Sequence, residues 1–307
     1  MTLVSICIPT YNQTKYLKLC LDSILAQTFK DYEVIISDDS TNDSVKDFVA
    51  SYKITNLHYY KNAVSLGTPA NWNAAILKAT GKYIKMMHHD DYFLSHNSLL
   101  KFTDAAVKNN ASFVYCNTEV WHVSDDSRRI SEPNEIQLKR LNSDPLFLFF
   151  KNKIGAPSAT MFLKNTVLFD ENLKWLVDVD FYIRYLKQSK ALHINKALVC
   201  TAHEIPGQVT QEVQSNRAIQ IKEHVAVFSK INNGIKDKTK FYLFFEYLFR
   251  DFKVNSLQEL KEISAINSCD EVFFKKVFEN INNGVGLKNL KRRLYNSRFN
   301  VFKAEQF

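Results

Sequence analysis

The stretch GKYIKMMHHDDYF, residues 81–93, decides the fold: a glycine, a short apolar run of strand character, then two histidines and two aspartates. PANWNAAILKAT, at 69–80, precedes it with helical spacing, and Gly81 reads as the stop of that helix. Further back, LVSICIPTY at 3–11 is a β-branched apolar run, and Leu17, Leu21, Ile24 and Leu25 follow at helical spacing. YEVIISDDS at 32–40 is a buried-strand pattern ending in acids, DSVKDFVASY at 43–52 is helical, and LHYYKN at 57–62 is a third strand. Strand–helix alternation of this kind predicts an α/β fold, a doubly wound, mostly parallel sheet with helices on both faces. Ligands of such sheets sit at the carboxyl ends of the strands. Pro9 to Asn12, Asp38 with Asp39, and Asp90 with Asp91 therefore converge on one crevice.

Downstream, SFVYCNTEVWH at 112–122 reads as a strand, DDSRRISEPNE at 125–135 as a polar loop, and DPLFLFFKN at 144–152 as a helix. IGAPSATMFLKN at 154–165 reads as a turn entering a strand, and LVDVDFYIRYLKQ at 176–188 as a helix whose first turn presents Asp178 and Asp180. After residue 214 the strand signals fade. Four helical segments, 216–230, 239–252, 256–266 and 270–282, form a C-terminal helical extension, so the expected division is 1–214 and 215–307.

Net charge is +8, and residues 215–307 hold 17 Lys or Arg against 10 Asp or Glu, so the basic character belongs to that extension. The five cysteines are scattered without CxxC spacing, which argues against a disulfide framework or a zinc cluster and for a reducing cytoplasm. The opening residues lack the pattern of a secretion leader, and FYLFFEYLF at 241–249 is too short to span a bilayer. A cytoplasmic protein is expected.

Four consecutive residues cannot all face one ion, because alternate strand side chains point to opposite faces; HHDD is thus a poor zinc centre. A paired carboxylate after a strand suits a hard divalent ion instead, and turn formation or helix capping is its structural alternative. PTYN at 9–12, SDDSTND at 37–43 and NWNAAILKATGKYIKMMHHDD at 71–91 occur in an order that resembles the N-terminal domain of family 2 glycosyltransferases of the GT-A fold. The resemblance is close over residues 3–93 and looser to about residue 210.

What this resemblance implies is placed residue by residue. Pro9, Tyr11 and Asp39 fall where the family holds the nucleotide base and ribose, with Asp38 supporting the loop. Asn73 keeps a donor-contact position, but Trp72 stands where an arginine is usual, which removes a diphosphate contact. His88 takes the place of the first acid in the family's aspartate-x-aspartate segment; Asp91 is the implied metal ligand, Asp90 a ligand or ribose contact, and His88 a further candidate. Asp178 falls on the catalytic base although Val177 replaces the usual glutamate before it, and Asp180 and Arg184 are expected to pair or hold the helix. His203, in a loop freed by Gly207, is a candidate contact near the diphosphate or metal.

The implied activity is inverting transfer of a sugar from a nucleotide diphosphate, a UDP-sugar for preference, to a hydroxyl of a lipid-linked glycan in surface polysaccharide synthesis. Mn²⁺ or Mg²⁺ is the implied cofactor. The basic, aromatic tail GLKNLKRRLYNSRFNVFK at 286–303 has the composition of a helix lying on an anionic membrane, or of a surface packing on the main domain or another copy of the chain. No nucleic-acid reader motif accompanies it. Two other readings differ in chemistry. A sugar-phosphate nucleotidyltransferase needs a glycine- and base-rich loop near the first strand, which PTYNQTKYL lacks. A non-catalytic nucleotide-sugar or partner binder would account for the departures at Trp72, His88 and Val177.

Overall fold

The computed structural model describes residues 2–283. They divide into two compact units, Met1–Leu173 with Val177–Gln208, and Lys174–Leu176 with the chain from Val209 on. The basic tail at 286–303 lies outside the described residues.

In the first unit the chain runs β1 (Val4–Thr10), α1 (Lys15–Leu25), β2 (Tyr32–Asp38), α2 (Ser44–Ala50), β3 (Leu57–Lys61), α3 (Ala70–Lys78) and β4 (Tyr83–Met86). β3, β2, β1 and β4 lie side by side and all parallel, which brings their carboxyl ends to one edge. β5 (Tyr92–Phe93), α4 (Ser98–Lys108), β6 (Phe113–His122), β7 (Ser127–Ser131), α5 (Glu135–Ser143), α6 (Phe147–Phe150), β8 (Thr160–Leu163), α7 (Val177–Leu186) and β9 (Ala191–His203) complete it. The sheet continues β4, β8, β6, β9, β5, with β8 antiparallel to both its neighbours and β9 parallel to β6. It is a mixed sheet whose N-terminal half is parallel.

Every residue of β1 and β2 is buried, as expected of central strands covered on both faces. Val4, Ile6, Ile8, Val34, Ile36 and Val114 face a core filled by Leu17, Leu21 and Ile24 of α1, Val45 and Val49 of α2, and Leu99 and Phe102 of α4. Phe113, next to Val114 and so on the opposite face, stacks on Phe162 and meets Tyr182 and Tyr185 of α7. Burying each such side chain contributes about 1.5–3 kcal/mol.

Several segments differ from the sequence reading, β5 and β9 among them. Within the stretch expected to be a polar loop, Ser127–Ser131 pairs antiparallel with β6; its side chains are exposed on the sheet margin, so no apolar alternation announces the strand. Gly81 does not stop a helix, because α3 has already ended at Lys78. It lies against β1, where an added Cβ would meet Ser5 N and Oγ at 2.7 Å and Val4 C at 2.9 Å. Its N–H donates to Ser5 Oγ at 2.8 Å and Glu33 Oε1 at 3.1 Å.

The second unit holds α8 (Val209–Val213), α9 (Arg217–Ile231), α10 (Thr239–Asp251), α11 (Leu257–Ile263) and α12 (Ser268–Asn282). Side chains of Asn216, Ser256 and Asn267 cap α9, α11 and α12. Its core is aromatic: Phe228, Phe245, Phe249 and Phe274 are all essentially fully buried. Glu223 of α9 accepts from three successive amides, Lys174 at 2.7 Å, Trp175 at 2.8 Å and Leu176 at 2.9 Å. No helix among the described residues is long and apolar enough to cross a membrane.

Because the obstruction at Gly81 is backbone as well as side chain, Gly81→Ala forces β1 and the approach to β4 apart. Urea denaturation should show a loss of about 1–3 kcal/mol, the range for overpacking; an unchanged midpoint would contradict this account.

Candidate active site

The site is built where β1, β2 and β4 end. Asp38, fully buried, closes the first turn: Oδ1 accepts from Thr10 Oγ1 at 3.1 Å and Ser40 N at 2.9 Å, and Oδ2 from the Tyr59 hydroxyl at 2.6 Å. These hydrogen bonds outweigh burial and hold its carboxyl below the ordinary range. Asp39 shapes the next loop, accepting from Asn62 Nδ2 at 2.7 Å, Leu66 N at 3.1 Å and Gly67 N at 2.7 Å. Tyr11 stands half-exposed beside this turn, while Pro9 is buried and its carbonyl lies 3.1 Å from His89 Nδ1.

Asn73 is buried on α3. Its amide donates to the Phe169 carbonyl and to Glu171 Oε1, both at 2.9 Å, and its oxygen accepts from Phe169 N at 3.0 Å. The side chain fastens the 169–171 segment. Trp72 meets Phe169 edge-on and lies against the His88 ring, with centroids 4.6 Å apart.

After β4, the ligand atoms of His88, Asp90 and Asp91 lie within 4.8 Å of one another. His88 Nδ1 is 4.0 Å from Asp91 Oδ2, and His89, one residue on, turns away to Pro9. Asp91 is 3% exposed and accepts from Ala202 N at 3.1 Å. Asp90 accepts from Gln208 Nε2 at 2.7 Å, and the same Gln208 ties down Ala202 O and Ile205 N. Burial and the neighbouring Asp90 push the Asp91 carboxyl well above its usual range, while burial pushes His88 down to about 4. A neutral imidazole beside two crowded carboxylates, its ligand atom within 4.8 Å of theirs and its buried Nε2 without a hydrogen-bond partner among the described residues, fits a divalent cation with mixed oxygen and nitrogen ligands.

Behind this cluster Lys85 is fully buried; its ammonium donates to Met86 O at 2.8 Å and to Ser158 O, and faces the rings of Phe93 and Phe102. Burial lowers it to about 8. Ser158 Oγ accepts from His88 N at 2.9 Å. At the other end of the same segment, Asn152 donates to Asp178 Oδ2 at 2.7 Å and to Gly155 O at 3.1 Å, and accepts from Ile154 N and Gly155 N at 3.0 Å. Asp178 also takes Val179 N at 2.8 Å, and burial pushes it up to about 6. Asp180 and Arg184 pair at 2.7 Å, and Arg184 also donates to Leu168 O.

His203 pairs in register with His122, their rings 5.8 Å apart, and Gly207 in the following loop has φ +86. Burial, then His122, lowers His203. The sequence reading missed Lys85, Asn152, Ser158 and Gln208. Only Lys85 left a usable signal, a lysine in an otherwise apolar strand.

Residues 5–169 match the family described as Glycosyl transferase family 2, and the chain belongs to that family. An uncharacterized glycosyltransferase of Rickettsia typhi, RT0329, is 28% identical over 236 residues, 74% of this chain and 70% of that protein. Escherichia coli WfgD, a UDP-Glc:alpha-D-GlcNAc-diphosphoundecaprenol beta-1,3-glucosyltransferase, is 25% identical over 222 residues, 72% of this chain and 83% of WfgD. Among solved structures, S. aureus TarS 1–349 in complex with UDP-GlcNAc aligns with a TM-score of 0.58 at 17% identity, over 92% of each chain. A mannosyltransferase from Pyrobaculum calidifontis with GDP-Man and Mn²⁺ aligns with a TM-score of 0.56 at 14% identity, over 85% of this chain and 78% of that one. These likenesses show the GT-A fold.

If Asn152 and burial together set Asp178, its titration is measurable without substrate. Carboxyl-carbon NMR of the Asp178 side chain should report a midpoint near 6, and Asn152→Ala, which removes a bond to the charged form, should move it upward.

Proposed function

We propose that this chain is an inverting, metal-dependent glycosyltransferase that moves a sugar from a UDP-sugar to a hydroxyl of a lipid-linked glycan. The observation that carries the reading is the pairing of a His88–Asp90–Asp91 cluster at the end of β4 with a buried, ionisable Asp178 at the start of α7. WfgD's UDP-glucose donor and diphosphoundecaprenol-linked acceptor, and the UDP-GlcNAc bound to TarS, support the choice of donor and acceptor class. A lipid-linked acceptor would bring the chain to the inner face of the membrane as a peripheral protein.

In this reading Tyr11 offers its exposed ring to the base, while Asp39 holds the 62–67 loop beside it and accepts from the base or ribose. Asp91 and His88 are the direct metal ligands, and Asp90, steadied by Gln208, is the third ligand or the ribose contact. His203 stands on the neighbouring strand as a further polar contact. A divalent cation bound there would supply charge neutralisation for the departing diphosphate. Asp178 accepts the acceptor hydroxyl's proton as that oxygen attacks the anomeric carbon from the face opposite the leaving group. Asn152 keeps the carboxylate aimed, and a value near 6 leaves it ionised yet basic at neutral pH.

The base must be ionised to work, so transfer should rise with pH through about 6 and level off above it. Asp178→Asn should lower transfer by about 10²–10⁴-fold at every pH without unfolding the chain. A variant with full activity removes Asp178 from the chemistry.

An imidazole ligand favours Mn²⁺ over Mg²⁺, whose hard character prefers oxygen. The Mn²⁺ complex should show nitrogen modulation in its electron spin echo spectrum. His88→Ala should lose that signal and His203→Ala should keep it. Asp91→Asn should weaken Mn²⁺ binding roughly tenfold or more.

A further inference from the structure

Two cations, Arg129 on β7 and Lys153 beside Asn152, have no part in the proposed reaction. Strand pairing sets Arg129 opposite Val120 and Ser131 opposite Thr118, so alternation projects Arg129, Ser131 and Thr118 from one face of the sheet. Thr118 and Ser131 line a crevice completed by Asn152, Lys153 and Gly155, and Asn152 is the residue that bonds Asp178. His122 and His203 continue the same alternation, and His203 lies within electrostatic reach of both Asp90 and Arg129.

Among the described residues neither Arg129 nor Lys153 has an ion-pair or hydrogen-bond partner. Glu132, an acid in the same lining, has its Oε2 turned to Asn117 Nδ2 at 3.2 Å. Burial first, and then repulsion from Lys151 and Arg129, lowers Lys153 to about 8. A half-buried lysine repelled by neighbouring cations is stabilised by an anion, and a guanidinium fork beside an ammonium suits the several oxygens of a phosphate.

We propose that Arg129 and Lys153 form a phosphate-binding subsite at the crevice lined by Thr118, Ser131 and Asn152. The inference rests on the glycosyltransferase reading, and two phosphates are available under it: the donor's diphosphate, or a phosphate carried by the acceptor next to the hydroxyl that attacks.

The test compares the full chain with R129Q/K153Q, both positions being at least partly exposed, after circular dichroism confirms an unchanged fold. Calorimetry measures inorganic phosphate without added metal, and UDP and uridine with Mn²⁺. Phosphate binding should fall about tenfold or more in the double variant. Unchanged UDP binding then assigns the subsite to the acceptor, whereas weaker UDP with unchanged uridine assigns it to the donor. Equal phosphate and UDP affinities in the two proteins overturn the subsite while leaving the transferase reading in place. A wild-type chain that binds phosphate through these residues but binds no UDP overturns the transferase reading and keeps the subsite.

Discussion

One serine joins the two halves of the site. Ser158 Oγ accepts from the His88 amide, its hydroxyl also bonds Asp91, and its carbonyl receives the buried ammonium of Lys85. From there the chain back to Asn152 is short, and Asn152 holds Asp178. The His88–Asp91 turn and Asp178 are therefore fixed through one segment rather than through separate loops. A buried polar network of this kind is valuable only when complete: satisfied, it specifies one geometry, and a missing member leaves a desolvated charge. Lys85 meets that demand with two carbonyls and two aromatic faces.

The two departures from the family pattern at Trp72 and His88 become one event in three dimensions. An arginine and an aspartate would bring opposite charges; the indole and the neutral imidazole bring none and lie against each other at 4.6 Å. The contact is one between an indole and a neutral imidazole whose ring planes are tilted by 42°.

The parallel half of the sheet was legible because buried central strands carry unbroken β-branched runs such as VSICI and VII, and each is followed by helical spacing. The acids at the strand ends were legible for the same reason. Ser127–Ser131 escaped notice because an exposed marginal strand carries charge, and the long β9 because its polar first half hides its apolar second half. What Asn73 bonds to was not legible: its amide meets Phe169 and Glu171, nearly a hundred residues on, an outcome of tertiary packing. Asn152 and Gln208 had no spacing to betray them, since each acts on a residue far away in sequence.

The grip of Glu223 on Lys174, Trp175 and Leu176 has a consequence for how the molecule is divided. These three residues belong to the second unit although they lie in the middle of the first unit's sequence, directly before the helix that carries Asp178. The boundary is thus crossed three times by the chain, not once. A gene cut after Gln208 would leave three backbone donors without their acceptor at the threshold of α7.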